Sequence, residues 1–381
     1  MWPSIAALCC AASLFAVPAA AEDFYAPRDW SVASGGKMNI SGFLFRDINR
    51  NGSYDLPDRP MEDIAVEMTG PRGEHHIQRT NSNGFANFSM SKDNDEAIIT
   101  EPGDYAFDVI VPEGWSVTTG NTLQVKSFHF LPGAVGDMIA DPPFVAVGLV
   151  QDLRVFGRLP EASAGTEITL DSGSVQRDVT LQADGSFSAE VEQGAWSLSV
   201  RDGASGATVT RAFTVTDTPV QLSGILFGDR EPSQAPSRLV DFEDVTDKSI
   251  REMPNGVGGL SWWNVVALEV AIAYTNNAVS GHYVAYNSSG HPARIYHDTP
   301  FDFVGAYFGI AWRRANGETL QLRGWRGEEL VYEDSIVLSY LGPIWFTADY
   351  RGITRLDLQT EHYWQFVTDD MEFRLPQGGA D

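Results

Sequence analysis

Cysteine is nearly absent from this chain of 381 residues, which contains only Cys9 and Cys10. Both lie in residues 1–21, where an apolar stretch closes with three alanines, a pattern typical of a signal peptide cleaved after Ala21. Cleavage would leave an exported chain without a thiol, which excludes disulfides, thiolate metal sites and a cysteine nucleophile. We therefore predict a secreted or periplasmic protein. The alternative is that this segment is a buried N-terminal helix or strand.

Positive charge is also scarce, because 26 Lys and Arg face 51 Asp and Glu and the formal net charge is −25. Such a surface repels phosphate backbones and anionic lipid, so we expect no nucleic-acid partner. After the first 21 residues, no stretch has the length and apolarity of a membrane helix, so we expect no membrane insertion. The negative charge favours a protein that encounters cations.

Helical periodicity is scarce as well. Short runs that alternate apolar and polar residues end at Gly, Pro, Asn or Asp, as in residues 39–45, 105–111, 196–200 and 319–323. Such runs are typical of sandwiches rather than of βαβ units. We therefore predict an all-β fold, in which tandem β-sandwich domains are followed by a C-terminal jelly-roll β-sandwich.

Shifts in composition divide the chain into three modules. Module one spans residues 38–150 and module two residues 151–228. A linker rich in proline and polar residues follows at 229–238. Module three spans residues 239–376 and holds six of the ten tryptophans, which marks it as a different kind of module.

Familiar catalytic motifs are lacking. None of the seven histidines belongs to an H-E-x-x-H motif, and the sequence has no G-x-S-x-G motif and no P-loop. His282, His291 and His297 lie close to Asp298 in the sequence, which leaves a metal or acid–base site open beside the commoner role of turn histidines. A carboxylate pair for glycoside hydrolysis also stays open, because the separation of two carboxylates depends on the fold.

Residues 47–58, with the sequence DINRNGSYDLPD, carry the sharpest chemical signal. Oxygen-bearing side chains occupy the first, third, fifth, ninth and twelfth positions: Asp47, Asn49, Asn51, Asp55 and Asp58. Gly52 lies where the loop must turn sharply, and Ser53 can offer its backbone carbonyl. This is the ligand order of an EF-hand calcium loop, with aspartate in place of the usual closing glutamate. The alternative is an Asx-rich turn without an ion.

Strand-like runs flank this loop, where an EF-hand would have helices. Four stretches carry a resemblance to a known family: GFLFRDINRNG (42–52), PMEDIAV (60–66), TNSNGFANF (80–88) and PGDY (102–105). On these motifs, residues 38–115 resemble the SdrD B-like repeat of bacterial surface proteins, which is related to Cna B-type and prealbumin-like folds. The resemblance implies a sandwich that binds calcium and acts as a rigid spacer without catalysis.

Module two shows a similar pattern without a candidate site. Its Asp184-Gly185 turn and the later Gly194 permit tight turns, and Phe187 and Trp196 are expected to point inward. The segment resembles the prealbumin-like sandwich of carboxypeptidase regulatory domains. We predict that it is a spacer.

Module three opens with VDFED (240–244) and closes with FVTDDMEF (366–373), a pattern that resembles jelly-roll modules similar to carbohydrate-binding modules. The resemblance implies that the first and last strands are neighbours and that their acidic residues share a cation. Asp241, Glu243 and Asp370 are the candidates. The alternative is that these acids are edge-strand charges that oppose aggregation.

Exposed aromatic rings on a sandwich face can stack on sugar rings. The candidate ligand contacts in module three are Trp262, Trp263, Tyr286, Trp312 and Trp325, with Tyr283 in the same pool. Most tryptophans in a sandwich belong to the core, which is the alternative for each of them. Polar contacts could come from Asn264, Asn287 and Arg313.

Together these features predict an exported, calcium-binding and non-catalytic protein. Its sandwich spacers would present the C-terminal module to a glycan, an extracellular matrix or a surface protein. The alternative is a glycan-acting hydrolase or lyase that uses module three.

Overall fold

A computed structural model describes residues 38–90, 96–130, 138–141, 144–159, 162–223 and 231–376. Strands make up 54% and helices 4%, so the predicted all-β class is confirmed. Across these ranges, no helix is long and apolar enough to cross a membrane. The predicted signal peptide at residues 1–21 lies outside the described residues.

Module one consists of two facing sheets. Its strands are β1 (Met38–Arg46), β2 (Arg59–Pro60), β3 (Ala65–Thr69), β4 (His75–Arg79), β5 (Phe85–Met90), β6 (Gly103–Val109), β7 (Trp115–Val117), β8 (Leu123–Phe130), β9 (Met138–Asp141) and β10 (Val147–Gln151). One sheet has the order β2-β1-β10-β7, with β5 also paired to β1, and the other has the order β4-β3-β6-β8-β9. Apolar residues of both sheets, such as Phe88 and Phe107 with rings 5.1 Å apart, meet in one core. The acidic loop therefore joins two strands, β1 and β2.

Module two repeats this plan with shorter sheets. Its strands are β11 (Arg154–Arg158), β12 (Glu167–Asp171), β13 (Gln176–Val179), β14 (Ser186–Glu190), β15 (Gly194–Arg201), β16 (Thr208–Val215) and β17 (Val220–Leu222). Strands β14-β11-β17 form one layer and β13-β12-β15-β16 the other. Phe187 and Trp196 are buried in the core between the layers, as their positions beside turn glycines predict.

Module three is the largest sandwich. Its strands are β18 (Ser237–Val240), β19 (Ile250–Glu252), β20 (Ser261–Trp263), β21 (Val265–Glu269), β22 (Tyr283–Asn287), β23 (Ala293–Ile310), β24 (Thr319–Arg326), β25 (Glu329–Val337), β26 (Ile344–Thr360) and β27 (Phe366–Arg374). Short 3₁₀ turns lie at Val257–Gly259, Thr275–Asn277, Ser288–Gly290 and Arg313–Ala315. The first strand, β18, pairs antiparallel with the last, β27, as the jelly-roll resemblance implies.

The long strands β23 and β26 pair with each other and serve both layers of module three. Their register shifts between Tyr296 and Phe301, so the ribbon is irregular there. Before the shift, β20 flanks β23 and β24 flanks β26; after it, β27 flanks β23. Side chains from both parts of the ribbon, such as Ile295 and Phe303, meet in a single core.

Modules two and three share a continuous sheet. Strand β17 pairs parallel with β26, with Val220 opposite Trp345 and Leu222 opposite Thr347. The linker is also fixed at one point, because the Ser233 amide donates to the Asp302 carboxylate at 2.6 Å. These hydrogen bonds restrict the position of module two relative to module three.

We expect Phe303→Ala to lower the free energy of unfolding by roughly 3–5 kcal/mol, the usual cost of removing a buried phenylalanine side chain. Phe303 is fully buried, and its ring lies 5.3 Å from that of Phe373 and 6.0 Å from that of Tyr350. Urea denaturation measures the change. Val337→Ala is the control, since Val337 is 61% exposed. Equal losses in the two variants would contradict the assigned core.

Candidate functional site

An open groove of about 530 Å³ lies on module three. Its floor is the outer face of the sheet formed by β20, β23, β26 and β24. Trp263, Arg294 and Asp357 lie opposite one another across three of these strands. Tyr296 and Arg355 form the next row on the same face, because residues two apart in a strand point to the same side.

The irregular part of β23 builds one side of the groove. Residues 297–300 of β23 lie between the pairs Tyr296–Arg355 and Phe301–Ile353, so four residues oppose only Thr354. The extra residues bulge from the sheet, and Asp298 among them lines the groove. Glu328, in the turn that joins β24 to β25, also lines it. The groove is therefore made by a bulge and a hairpin turn on a rigid sheet.

The two arginines of the groove both pair with Asp357. The Asp357 carboxylate receives the Arg294 guanidinium at 2.8 Å and the Arg355 guanidinium at 3.3 Å. The Arg355 guanidinium also lies 4.4 Å from the ring centre of Trp325, in a cation–π contact. These contacts hold both arginines in place beside the aromatic rings, so guanidinium donors and carboxylate acceptors face the same space.

The aromatic candidates divide between groove, core and a separate cluster. Trp263 is 54% exposed and lines the groove. Its neighbour Trp262 is 6% exposed, donates its indole N–H to the Val257 carbonyl at 3.0 Å and packs in the core, so it is not available to a ligand. Trp325 lies beneath Arg355. Sequence reasoning missed Tyr296, which is 39% exposed and lines the groove.

Tyr286 and Trp312 lie away from the groove lining. Both contact Tyr274, with ring centres 5.6 and 6.2 Å apart. The hydroxyl of Tyr283 lies 3.4 Å from the Lys248 carbonyl. Tyr274, Tyr286 and Trp312 thus form a cluster of their own, whereas Tyr283 packs against the main core.

The polar candidates support the backbone or a module contact. The Asn264 amide donates to the Pro292 carbonyl at 3.0 Å, and the Asn287 amide donates to the His291 carbonyl at 2.8 Å. Arg313 pairs with Asp63 of module one at 2.9 Å.

The three neighbouring histidines are separated by the fold. His297 lines the groove beside Asp298. The His291 ring faces Tyr363 at 6.4 Å, and the backbone amide of His282 donates to Glu243 at 2.7 Å. Their closeness in sequence therefore does not produce a three-histidine cluster.

The acidic loop of module one is closed by its own side chains. The Asp47 carboxylate accepts the backbone N–H groups of Asn51 at 3.1 Å and Gly52 at 2.7 Å. Asp58 accepts those of Ile48 at 2.8 Å and Asp55 at 3.1 Å. The carboxylates at the first, ninth and twelfth positions are all buried.

The amide side chains of the loop converge on its central carboxylate. Asn49 and Asn51 place their amide groups 2.6 and 2.8 Å from the two oxygens of Asp55. The amide orientation is fixed by the backbone, because the Asn49 side-chain oxygen accepts the Asn51 backbone N–H at 3.1 Å. The Asn51 side-chain oxygen likewise accepts the backbone N–H of Ser53 at 2.8 Å.

This donor set matches calcium in kind, because hard cations prefer carboxylate and amide oxygens. Burial raises the pKa of Asp58 to about 6, and the charges of Asp47 and Asp55 add to that rise. A divalent cation would offset this repulsion. Within the described ranges, however, no group of three or more His, Cys, Asp or Glu is placed as if around a metal. Calcium binding therefore stays a prediction.

The second predicted cation site is an acidic cluster in module three. Glu243 accepts the backbone N–H groups of His282 and Tyr283, each at 2.7 Å, and Asp241 accepts that of Glu243 at 3.3 Å. Burial raises the pKa of Asp370, and the charges of Asp241 and Glu243 raise it further. The three candidate residues thus lie near one another.

A guanidinium from module one reaches this cluster. Arg59 donates to the Gly281 carbonyl at 2.9 Å, and its charge lowers the pKa of Asp370 against the stronger effect of burial. Asp369, which was not among the predicted ligands, is buried beside them and accepts the amides of Val279 and Ser280 at 2.8 and 3.1 Å. Arginine therefore supplies positive charge where a bound cation was predicted.

The chain matches no protein family and no curated protein. Among solved structures, it is similar to carbohydrate-binding modules of the beta-sandwich superfamily, with 10% identity over 72% of this chain and 92% of that chain and a TM-score of 0.23. It is also similar to the minor pilin of Streptococcus agalactiae, with 10% identity, 51% and 99% coverage and a TM-score of 0.20. For the Bacillus anthracis TIE protein the identity is 9%, the coverage 85% of this chain and 44% of that chain, and the TM-score 0.23. Scores this low carry no argument about function, and the resemblance to SdrD B-like repeats stays a prediction.

In calcium-free solution, we expect the free energy of unfolding to fall as the pH rises from about 4 to about 6. The pKa of Asp58 is about 6 in the folded chain against an ordinary 3.8, so the folded state binds more protons in this interval and loses stability as they leave. Urea denaturation across this range measures the fall. Asp58→Asn should lessen it, whereas Asp108→Asn, at an exposed position of β6, should not. An unchanged fall in Asp58→Asn would contradict the assignment.

Proposed function

We propose that the chain is an exported, non-catalytic glycan-binding protein. The groove of module three binds an oligosaccharide, and the acidic loop of module one binds calcium and stiffens the spacer. The observation that carries this proposal is the pair of exposed rings, Trp263 and Tyr296, beside fixed arginines on a rigid sheet face. Export rests on the signal-like pattern of residues 1–21.

The groove has the size and lining of a ligand site. Its volume of about 530 Å³ falls within the range of roughly 300–1,000 Å³ that is usual for small-molecule sites. Trp263 and Tyr296 lie on adjacent strands two positions out of register, so their rings can contact neighbouring parts of one ligand. Exposing two large rings costs hydration free energy, which a sugar ring stacked on them would recover.

Charge balance favours an uncharged, hydroxyl-rich ligand. Arg294 and Arg355 offer N–H donors, whereas Asp298 and Glu328 offer acceptors. Hydroxyl groups both donate and accept, so a neutral sugar can use both sets. A strongly anionic glycan would meet repulsion from the carboxylates and from the net charge of −25.

We expect Trp263→Ala and Tyr296→Ala each to weaken glycan binding by about tenfold or more, because truncating a central aromatic contact costs about 1.4–2 kcal/mol. The full chain is first screened on a glycan array, and the best neutral oligosaccharide is then titrated by calorimetry. Trp312→Ala is the matched control, because Trp312 is 47% exposed but lies outside the groove lining. Equal losses in the variant at the control position and in the groove variants would contradict the site.

A glycan-acting hydrolase or lyase is the second candidate function, and the presence of Asp298 and Glu328 in one groove favours it. Glycoside hydrolysis uses two carboxylates that flank the scissile bond. Release of product from a bound glycan, abolished by Glu328→Gln or Asp298→Asn, would replace the binding-only proposal. Binding without product release supports it.

For the loop, we expect calcium at tenfold its dissociation constant to raise the free energy of unfolding by about 1.4 kcal/mol. Asp47→Asn should abolish this gain, because Asp47 supplies the first ligand of the loop. Asp108→Asn is the control on the same module. Calcium titration by calorimetry and thermal unfolding measure both effects, and a parent chain that takes up no calcium would remove this half of the proposal.

A further inference from the structure

Arginines bracket the acidic loop and reach out of module one. Arg46 immediately precedes Asp47, and Arg59 immediately follows Asp58. The Arg46 guanidinium pairs with Asp217 of module two, whereas Arg59 donates to Gly281 of module three at 2.9 Å. The two ends of one loop are thus attached to two different modules.

The contact with module two is shielded from water. The side chain of Arg46 is 4% exposed and that of Asp217 is 12% exposed. The adjacent Thr216 hydroxyl lies 3.0 Å from the Tyr307 hydroxyl of module three, so the three modules meet here. Breaking such a pair leaves a charge with poor solvation, which makes the contact costly to open.

The contact with module three continues beyond Arg59. Glu62 and Asn276 exchange two hydrogen bonds between backbone and side chain, at 3.0 and 3.1 Å. Asp63 pairs with Arg313 at 2.9 Å. Strand β2 and the residues after it therefore form a continuous interface that begins where the acidic loop ends.

We propose that the acidic loop is a calcium-dependent clasp that joins module one to modules two and three through Arg46 and Arg59. This inference rests on the proposed calcium site. When the loop is ordered, the backbone is fixed at both arginines. Arg46 then faces Asp217 of module two while Arg59 faces the acidic cluster of module three. Docked arginines in turn hold the ends of the loop in place. Calcium binding and module docking therefore favour each other, and calcium sets how rigidly the groove is presented.

Thermodynamic linkage makes this coupling measurable from either side. If calcium strengthens docking, loss of docking must weaken calcium binding by the same factor. Simple electrostatics predicts the opposite sign, because removing two positive charges beside an acidic loop would tighten calcium binding. The direction of the change therefore separates coupling from charge.

The experiment compares the full-length parent with Arg46→Gln/Arg59→Gln. We expect the double variant to bind calcium about fivefold more weakly or worse, within the range usual for coupled sites, by calorimetry. Small-angle scattering should show that calcium compacts the parent but not the double variant. Glycan affinity of the groove should stay unchanged, because neither arginine lines it.

Arg72→Gln/Arg201→Gln is the matched control. It removes two positive charges whose partners, Glu101 and Glu167, lie in the same module as each arginine. We expect calcium affinity and shape to match the parent. If the double clasp variant does not fold, Arg59→Gln alone serves for the same comparison.

If the parent binds calcium and the double variant binds it equally or more tightly, the clasp is overturned and the proposed function stays intact. A parent that binds no calcium would overturn the clasp together with the calcium site. In both cases the glycan titration tests independently whether the groove binds a glycan.

Discussion

The pairing of β23 with β26 is the constraint on which the rest of module three depends. One ribbon of two long strands supplies both layers, and its register shift lies where it passes from β20 and β24 to β27. The inward side chains on both sides of the shift build the core. The shift leaves four residues out of register, and Asp298 among them lines the groove. The same irregularity therefore serves both folding and the candidate site.

Positive charges are few in this chain, and several of them lie at junctions. Arg46 and Arg59 connect module one to its neighbours, and Arg211 of β16 pairs with Asp349 of β26. In a chain with a net charge of −25, modules in contact would otherwise repel one another. Arginines that are buried or half-buried at the junctions offset this repulsion where screening by salt is weak. The arginines at the junctions thus connect modules, whereas others, such as Arg72 and Arg201, are exposed and pair within one module.

Much of the fold could be predicted from alternation and turn residues, because strand period and glycine positions are local properties. The all-β class and the inward Phe187 and Trp196 followed from them. The residues of the groove could be predicted only in part. Alternation requires Trp262 and Trp263 to point to opposite sides, but only the core decides which one is buried. Tyr296 was missed because its exposure depends on the strands beside it and on a bulge that no local pattern marks.

The two acidic clusters show why a bound cation is hard to predict from the sequence. A sequence reveals how many oxygens lie close together, but it does not reveal what neutralises them. In module three, the side chain that approaches Glu243 and Asp370 is Arg59, which lies far away in the chain. In module one, Asp58 has carboxylates as its charged neighbours in the loop, and they raise its pKa. A guanidinium approaches the first cluster from another module. In the loop, Arg50 interacts with Asp47, whereas the charges of Asp47 and Asp55 both raise the pKa of Asp58. We therefore propose calcium binding for the loop of module one rather than for the jelly roll.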